Sequence, residues 1–462
     1  MREKVDILIN QALIVTMNRD RAVIPRGYVA VREGKIVDVG TGDGLSKYVS
    51  EEVVEGGGTI VTPGFICAHT HLYGILLRAS VWFGVIEPPT DFQQNLQRIW
   101  WAVDEAMNYE DAYASALMGA AEFARTGTTM FKDTFSGPNA IDGVLDRIKK
   151  GVDEVGIKGF IAFEATERRS RDEGLRGLRE NERFISRYNS DPDELVKGVF
   201  SLHASFTVTD DLMVKTKELA DKYGARYTMH VEEGLIDVYH NIERYGKRPF
   251  ERFRDVGFLS PNFIAVHVVQ AIDDELELIK QHDVKVAHNP MSNMLNAVGV
   301  PPVPKLIGMG VTVGLGNDGY IFDVFENMRS AYLLHKVHLK DPRAMPPLKV
   351  VEMATIDAAK VLGVDGHTGS IEVGKDADIT IIRPEYVPTL VNEETVYGHL
   401  VNTFNGRDVW GVLVRGRWVT KERRLVNVDM GKVMEYVHGV AERLWDRMLK
   451  MEPKYKVEYL KL

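Results

Sequence analysis

The sequence predicts an α/β chain: a (β/α)8 TIM barrel carrying a small β-sandwich formed by its N- and C-terminal segments. Three observations lead there. Short strand-like runs without helical periodicity occupy both ends of the chain. Between them, eight apolar, β-branched runs alternate with amphipathic stretches, the pattern of a parallel sheet covered by helices. Finally, a polar, chemically capable residue closes each of those eight runs.

Residues 1–60 contain VDILIN, ALIVTM, GYVAVREGKIVDVG and EVVEGGG, separated by Gly, Asn and Asp turn signals, and are read as the first part of the sandwich. Residues 61–370 hold the barrel strands VTPGFICAH, TTMFKD, KGFIAFEA, VKGVFSLHA, ARYTMHVEE, FIAVHVV, VKVAHNP and VTVGLGND. Helical stretches such as DDLMVKTKELADKYG separate them. The strand pattern returns in SIEVGKDADITIIR and VWGVLVRGRWVTKERRLV, so residues 371–425 are read as the second part of the sandwich. Over 426–462, Val433, Val437, Val440, Leu444 and Met448 fall on one face of a terminal helix.

Composition limits what such a chain does. Its 462 residues are 45% hydrophobic, enough for a full core, and its one cysteine, Cys67, allows no internal disulfide. The N-terminal stretch is charged and reads as no signal peptide. No window reaches the roughly 18 apolar residues of a membrane span. A formal charge of −9 disfavours nucleic acid as partner. The expectation is a cytoplasmic protein, commonly a homo-oligomer in such barrels, acting on a small diffusible molecule.

The strand ends carry the chemistry: His69 and His71, Asp133, Glu164, His203, His230, His267, His288 and Asp318, on the barrel face where active sites form. His69 and His71 stand two apart, so both point to one face of a strand and can grip one ion. His230 and Asp318 complete a set of nitrogen and oxygen ligands suited to one divalent metal, zinc first, with iron or manganese as alternatives. Glu233, three residues beyond His230, is the candidate proton shuttle; its neighbour Glu232 is the rival. His267 is placed to orient the water, and Asp318 to take a proton while bound. Cys67 shares the strand face of His69 and is read as an inert buried thiol. Trp100, Trp101 and Asp104 are read on a long loop after the first barrel strand, as walls and a polar contact for a flat heterocycle, with Asn293 as a further polar contact.

In order and spacing, the motifs VTPGFICAHTHLYG, GTTMFKD, HASFTVT, HVEEG, HNPMSNMLN, GLGNDG and GHTGSIEVGKDADITII make the chain resemble the amidohydrolase superfamily. The similarity is to its branch of cytosine, guanine and adenosyl-type deaminases and triazine hydrolases. FEATER, HNPMSNMLN and FENMRSAYLLHK resemble most closely the aminohydrolases of selenium-dependent and purine-catabolic gene clusters. The resemblance implies His69, His71, His230 and Asp318 as metal ligands, Glu233 as shuttle, His267 as a water-contacting base and His203 as a substrate contact. It also raises Glu164 as a possible ligand to a second metal. Asn317 and Ser205 stand where related enzymes often have Thr and Pro.

The expected activity is hydrolytic deamination of an aromatic N-heterocycle of purine, pyrimidine or pterin type by a single-metal enzyme. Opening of a cyclic amide ring and chlorohydrolase-type displacement are the alternatives on the same ligand set. A non-catalytic structural relative is the reading from another class, and it requires missing ligands.

Overall fold

The structure is a computed structural model that describes residues 2–79 and 89–451. The N-terminal strands β1 (Glu3–Val15), β2 (Val23–Arg32), β3 (Lys35–Thr41), β4 (Tyr48–Glu55) and β5 (Ile60–Pro63) form the small β unit. Next come the parallel strands β6 (Phe65–Thr70), β7 (Thr128–Asp133), β8 (Lys158–Ile161), β9 (Glu164–Ala165), β10 (Val196–Gly198) and β11 (Phe200–Ala204). They continue through β12 (Tyr227–Val231), β13 (Phe263–His267), β14 (Lys285–His288) and β15 (Val313–Leu315). The chain then returns to the small unit with β16 (Ile379–Ile382), β17 (Val409–Val414), β18 (Arg417–Lys421) and β19 (Arg424–Leu425).

The two chain ends pair as expected, in one nine-stranded sheet. β5 is the junction: it runs parallel to β1 and antiparallel to β16, with Ile60 opposite Ile382 and Pro63 opposite Ile379. Ile9, Val29, Val61, Ile379 and Leu413 form the apolar core of this unit, so neither end buries its face alone. Lys158 of β8 ties the unit to the central part, its Nζ 2.6 Å from Asp376 Oδ2 and 2.5 Å from Asp378 Oδ2, all three residues buried.

The central strands lie in two parallel arcs, β10-β8-β7-β6 and β15-β14-β13-β12-β11-β9. Isolated parallel bridges span both seams, Phe135 with Phe163 and Thr70 with Asp318. Every residue of β6, β7 and β13 is buried, as expected of parallel strands covered on both faces. The terminal helix Met430–Lys450 starts on an Asp429 cap and buries Val433, Val437, Val440, Leu444 and Met448, the face read from the sequence. Residues 452–462, the far end of the helix expected over 426–462, lie outside the described residues, as do residues 80–88 of the loop expected over 80–104. Among the described residues no helix is long and apolar enough to cross a membrane.

Two expectations need correction. Trp100, Trp101 and Asp104 are not on a loop: Trp100 ends a π-helical turn, Leu96–Trp100, that runs into the helix Trp101–Ala106. The cause is helical spacing, since Leu96, Ile99 and Val103 recur every three or four residues and are buried. His288 ends its strand as expected but does not join the others. Its Nε2 lies 3.1 Å from that of His335, on the helix Val324–Leu339, so its ring faces the surrounding helices.

Candidate metal centre and active site

Each polar side chain reaches the site because a parallel strand ends beneath it. The imidazole nitrogens of His69, His71 and His230 lie within 4.8 Å of one another, and so do ligand atoms of His69, His267 and Asp318. Asp318 Oδ1 is 3.2 Å from His71 Nε2 and 3.6 Å from His69 Nε2. The four residues expected to hold a metal therefore converge.

Hydrogen bonds fix the direction of two rings. His71 Nδ1 donates to the carbonyl of Thr134 at 2.7 Å, and His230 Nδ1 to that of His203 at 2.8 Å. Burial holds both imidazoles below their ordinary pKa, that of His230 well below, so both rings are neutral. Each Nε2 then presents a lone pair, and the two are only 3.1 Å apart. Two facing lone pairs repel unless a cation lies between them, so this donor set fits a divalent metal. His69 is oriented by the buried Lys132, whose Nζ is 2.8 Å from His69 Nδ1 and whose pKa burial pushes down to about 7. Burial works against the charge of Asp318, but His71, His267 and the hydroxyl of Ser292 outweigh it and keep the carboxyl below its ordinary range.

Glu233 and Glu232 are told apart by position. Glu233 lines the pocket, with its Oε2 3.4 Å from His267 Nε2 and its Oε1 accepting from Asn296 Nδ2 at 3.1 Å. Burial, then the charge of Asp318, pushes its pKa well above the usual carboxylate range. Glu232 turns away to Arg248, whose guanidinium also holds Glu275. Three residues here have left-handed backbone, Glu232 (φ 53°), His267 (φ 76°) and Asp318 (φ 58°). Such conformations cost of order 1–3 kcal/mol each and are retained where the surroundings over-determine them.

The pocket is walled by Tyr73, Phe92, Trp100 and Trp101, with Asp104, Glu164 and His203 as further polar groups. Asp104 accepts from Arg168 at 2.7 Å and from Tyr73 at 3.2 Å. Glu164 Oε1 lies 3.7 Å from His203 Nε2, and its other oxygen is buried without a partner. Glu164, His203 and His230 form a third cluster with metal-ligand spacing. Asn293 does not line the pocket. It is fully buried behind His267, with Oδ1 2.9 Å from His267 Nδ1, so it meets the ring and not a substrate. Cys67 Sγ bonds to the carbonyl of His69 and to Asn317, and burial pushes its thiol up to about 12, as befits an inert group.

Sequence reasoning missed Lys132, Tyr73, Arg168 and Asn296. Lys132 left a signal, a lysine within an otherwise apolar buried strand, which must find a partner. The other three lie outside the barrel strands and come to the site only through the fold.

The chain as a whole is similar to known proteins. The 5'-deoxyadenosine deaminase of Methanosarcina acetivorans is 32% identical over 446 residues, 95% of this chain and 98% of that protein. A 5-methylthioadenosine/S-adenosylhomocysteine deaminase of Syntrophobacter fumaroxidans is 30% identical over 451 residues, 96% of this chain and 99% of that protein. Among solved structures, an adenosine deaminase from Xanthomonas campestris with bound zinc superposes with a TM-score of 0.87 at 25% identity, covering 98% of this chain and all (100%) of that one. A zinc complex of the atrazine chlorohydrolase of Arthrobacter aurescens shares the fold, with a TM-score of 0.80 at 21% identity, 94% of this chain and 100% of that one. With residues 60–419 matching the Amidohydrolase family, over a site whose donors fit a divalent metal, the chain belongs to that family.

Proposed function

We propose that the chain is a metal-dependent aminohydrolase that deaminates an adenosine-type purine nucleoside. The carrying observation is the pairing of Glu233 with His267, 3.4 Å apart, beside the His71, His230 and Asp318 cluster in one pocket. His69, His71, His230 and Asp318 are the proposed ligands of one metal, zinc first. When bound, zinc supplies Lewis acidity and lowers the pKa of a water to about 7.

The chain's own groups handle the protons. His267, fixed through Nδ1 by Asn293, turns its buried Nε2, 3.4 Å from Glu233 Oε2, toward the pocket, where it orients the attacking water. Burial and the nearby charge of Asp318 push the Glu233 pKa well above the usual carboxylate range and so favour its protonated form, and Asn296 aims it. Once water has added to the C–N carbon of the ring, Glu233 protonates the departing nitrogen and ammonia leaves. Asp318 accepts the other proton. Trp100 and His203 are proposed to flank the heterocycle, and Asp104 to accept a hydrogen bond from it or from the sugar.

A second reading rests on the Glu164, His203 and His230 cluster, which has the spacing for a second ion. For architecture, the proposal is that the two arcs close into a (β/α)8 barrel over residues 61–370. The segments 1–60 and 371–425 are its companion β-sandwich and 426–462 a terminal helix. The setting proposed is cytoplasmic, with a homo-oligomer tested by light scattering.

Metal content per chain and ammonia release from adenosine, 5'-deoxyadenosine, guanine, cytosine and a pterin test this reading together. One metal with ammonia from the adenosines supports it. Ring opening without ammonia overturns it, and two ions bridged by Glu164 replace the single-metal form.

A further inference from the structure

Asn296 makes more bonds than the one to Glu233. Its Nδ2 also reaches Ser292 Oγ at 3.3 Å, and on the opposite side its Oδ1 lies 2.8 Å from the Tyr320 hydroxyl and 3.0 Å from Asn95 Nδ2. Asn95 ends the helix Phe92–Asn95, beside the pocket walls Phe92 and Leu96, and Tyr320 stands two residues beyond Asp318.

The direction of these bonds is fixed from one end. Ser292 has a single hydroxyl hydrogen and gives it to Asp318 Oδ2, a carboxylate that can only accept. Toward Asn296, Ser292 Oγ is therefore an acceptor, so the amide turns its nitrogen to that side and its carbonyl oxygen to the other. The two hydrogens on Nδ2 are divided between Ser292 Oγ and Glu233 Oε1, and Oδ1 receives one hydrogen from Tyr320 and one from Asn95. Glu233 Oε1 is thereby committed to accepting. A protonated carboxyl carries its hydrogen on one oxygen, which leaves Oε2, the oxygen 3.4 Å from His267 Nε2.

Resting on the deaminase reading, we infer that Asn95 and Tyr320 are positioning residues for the proton shuttle. By holding the Asn296 carbonyl they keep its amide nitrogen on Glu233 Oε1 and confine the transferable proton to Oε2. A reversed amide sets its carbonyl against Oε1 and ties the proton up in that bond, so that none is free for the departing nitrogen. Either donor alone holds the amide, because a reversal also forfeits the bond to Ser292.

The test is steady-state kinetics of ammonia release from adenosine by the zinc-loaded enzyme, with kcat taken per bound metal and the urea midpoint measured for each variant. Asn95→Asp is the closer isostere, yet it sets an acceptor against the Asn296 carbonyl and favours the reversed amide; Asn95→Leu only removes one donor. The expected kcat is about tenfold or more below wild type in Asn95→Asp and no more than about threefold below it in Asn95→Leu and Tyr320→Phe, with KM within about twofold throughout. The Asn95→Leu, Tyr320→Phe pair should lose more than the product of its single losses, because the second change releases an amide that the first left held. Equal losses in Asn95→Leu and Asn95→Asp, a pair that is merely multiplicative, or an effect confined to KM or to the urea midpoint each overturn the inference, while ammonia from the wild type leaves the deaminase reading standing. No ammonia from the wild type overturns that reading and the inference together.

Discussion

The Nε2 atoms of His71 and His230 stand 3.1 Å apart while both Nδ1 atoms are committed to backbone carbonyls. The rings cannot turn to relieve the contact without leaving a buried carbonyl unpaired, which costs about 1–3 kcal/mol each. Chelation should therefore abolish activity and lower the melting temperature, and added zinc should restore both. A chelated protein that melts no lower than the loaded one counts against the site.

Replacing Glu233 by Gln removes the proton and keeps the shape. The expected loss is about 10²–10⁴ in kcat, with metal content per chain unchanged by elemental analysis. An equal loss in Glu232→Gln, with Glu233→Gln active, would transfer the role to the neighbour that the structure turns toward Arg248.

Asn293 acts on the reaction only through His267. Asn293→Leu should lower kcat about 10-fold to 100-fold, the range for a lost partner behind a site histidine, with KM within about twofold. A rise in KM without a fall in kcat would return Asn293 to the substrate contacts.

Lys158→Met strands two buried aspartates, so urea unfolding should show a loss of about 3 kcal/mol. Asp376 adds a pH signature. Burial opposes its charge, but Lys158 and Lys35 hold its pKa down at about 2 against an ordinary 3.8. A depressed carboxylate gives its full contribution above pH 4 and loses it as pH falls through about 2. Below pH 4 the wild-type midpoint should fall more steeply than that of Asp376→Asn; parallel curves would contradict the assignment.

Local rules made much of this legible. The spacing of two between His69 and His71 was enough to bring both rings to one site, because strand geometry points both to the same face. The paired chain ends and the terminal helix face were readable for the same reason, a fixed period. His288 was not separable from its neighbours, since a strand-ending histidine looks alike whether it turns to the site or, as here, to His335. Asn293 and Asn296 fall in one motif, yet only the turn of the helix Pro290–Leu295 decides which meets His267 and which meets Glu233.

The junction at β5 also has a consequence in time. One of its edges is satisfied by β1 as soon as the first segment is made, but the other waits for β16, more than 300 residues downstream. At about 5–20 residues per second of synthesis, that leaves an open strand edge on the ribosome for roughly 15–60 s. Throughout that interval the nascent chain offers a template for pairing with any other strand, its own neighbours on adjacent ribosomes included.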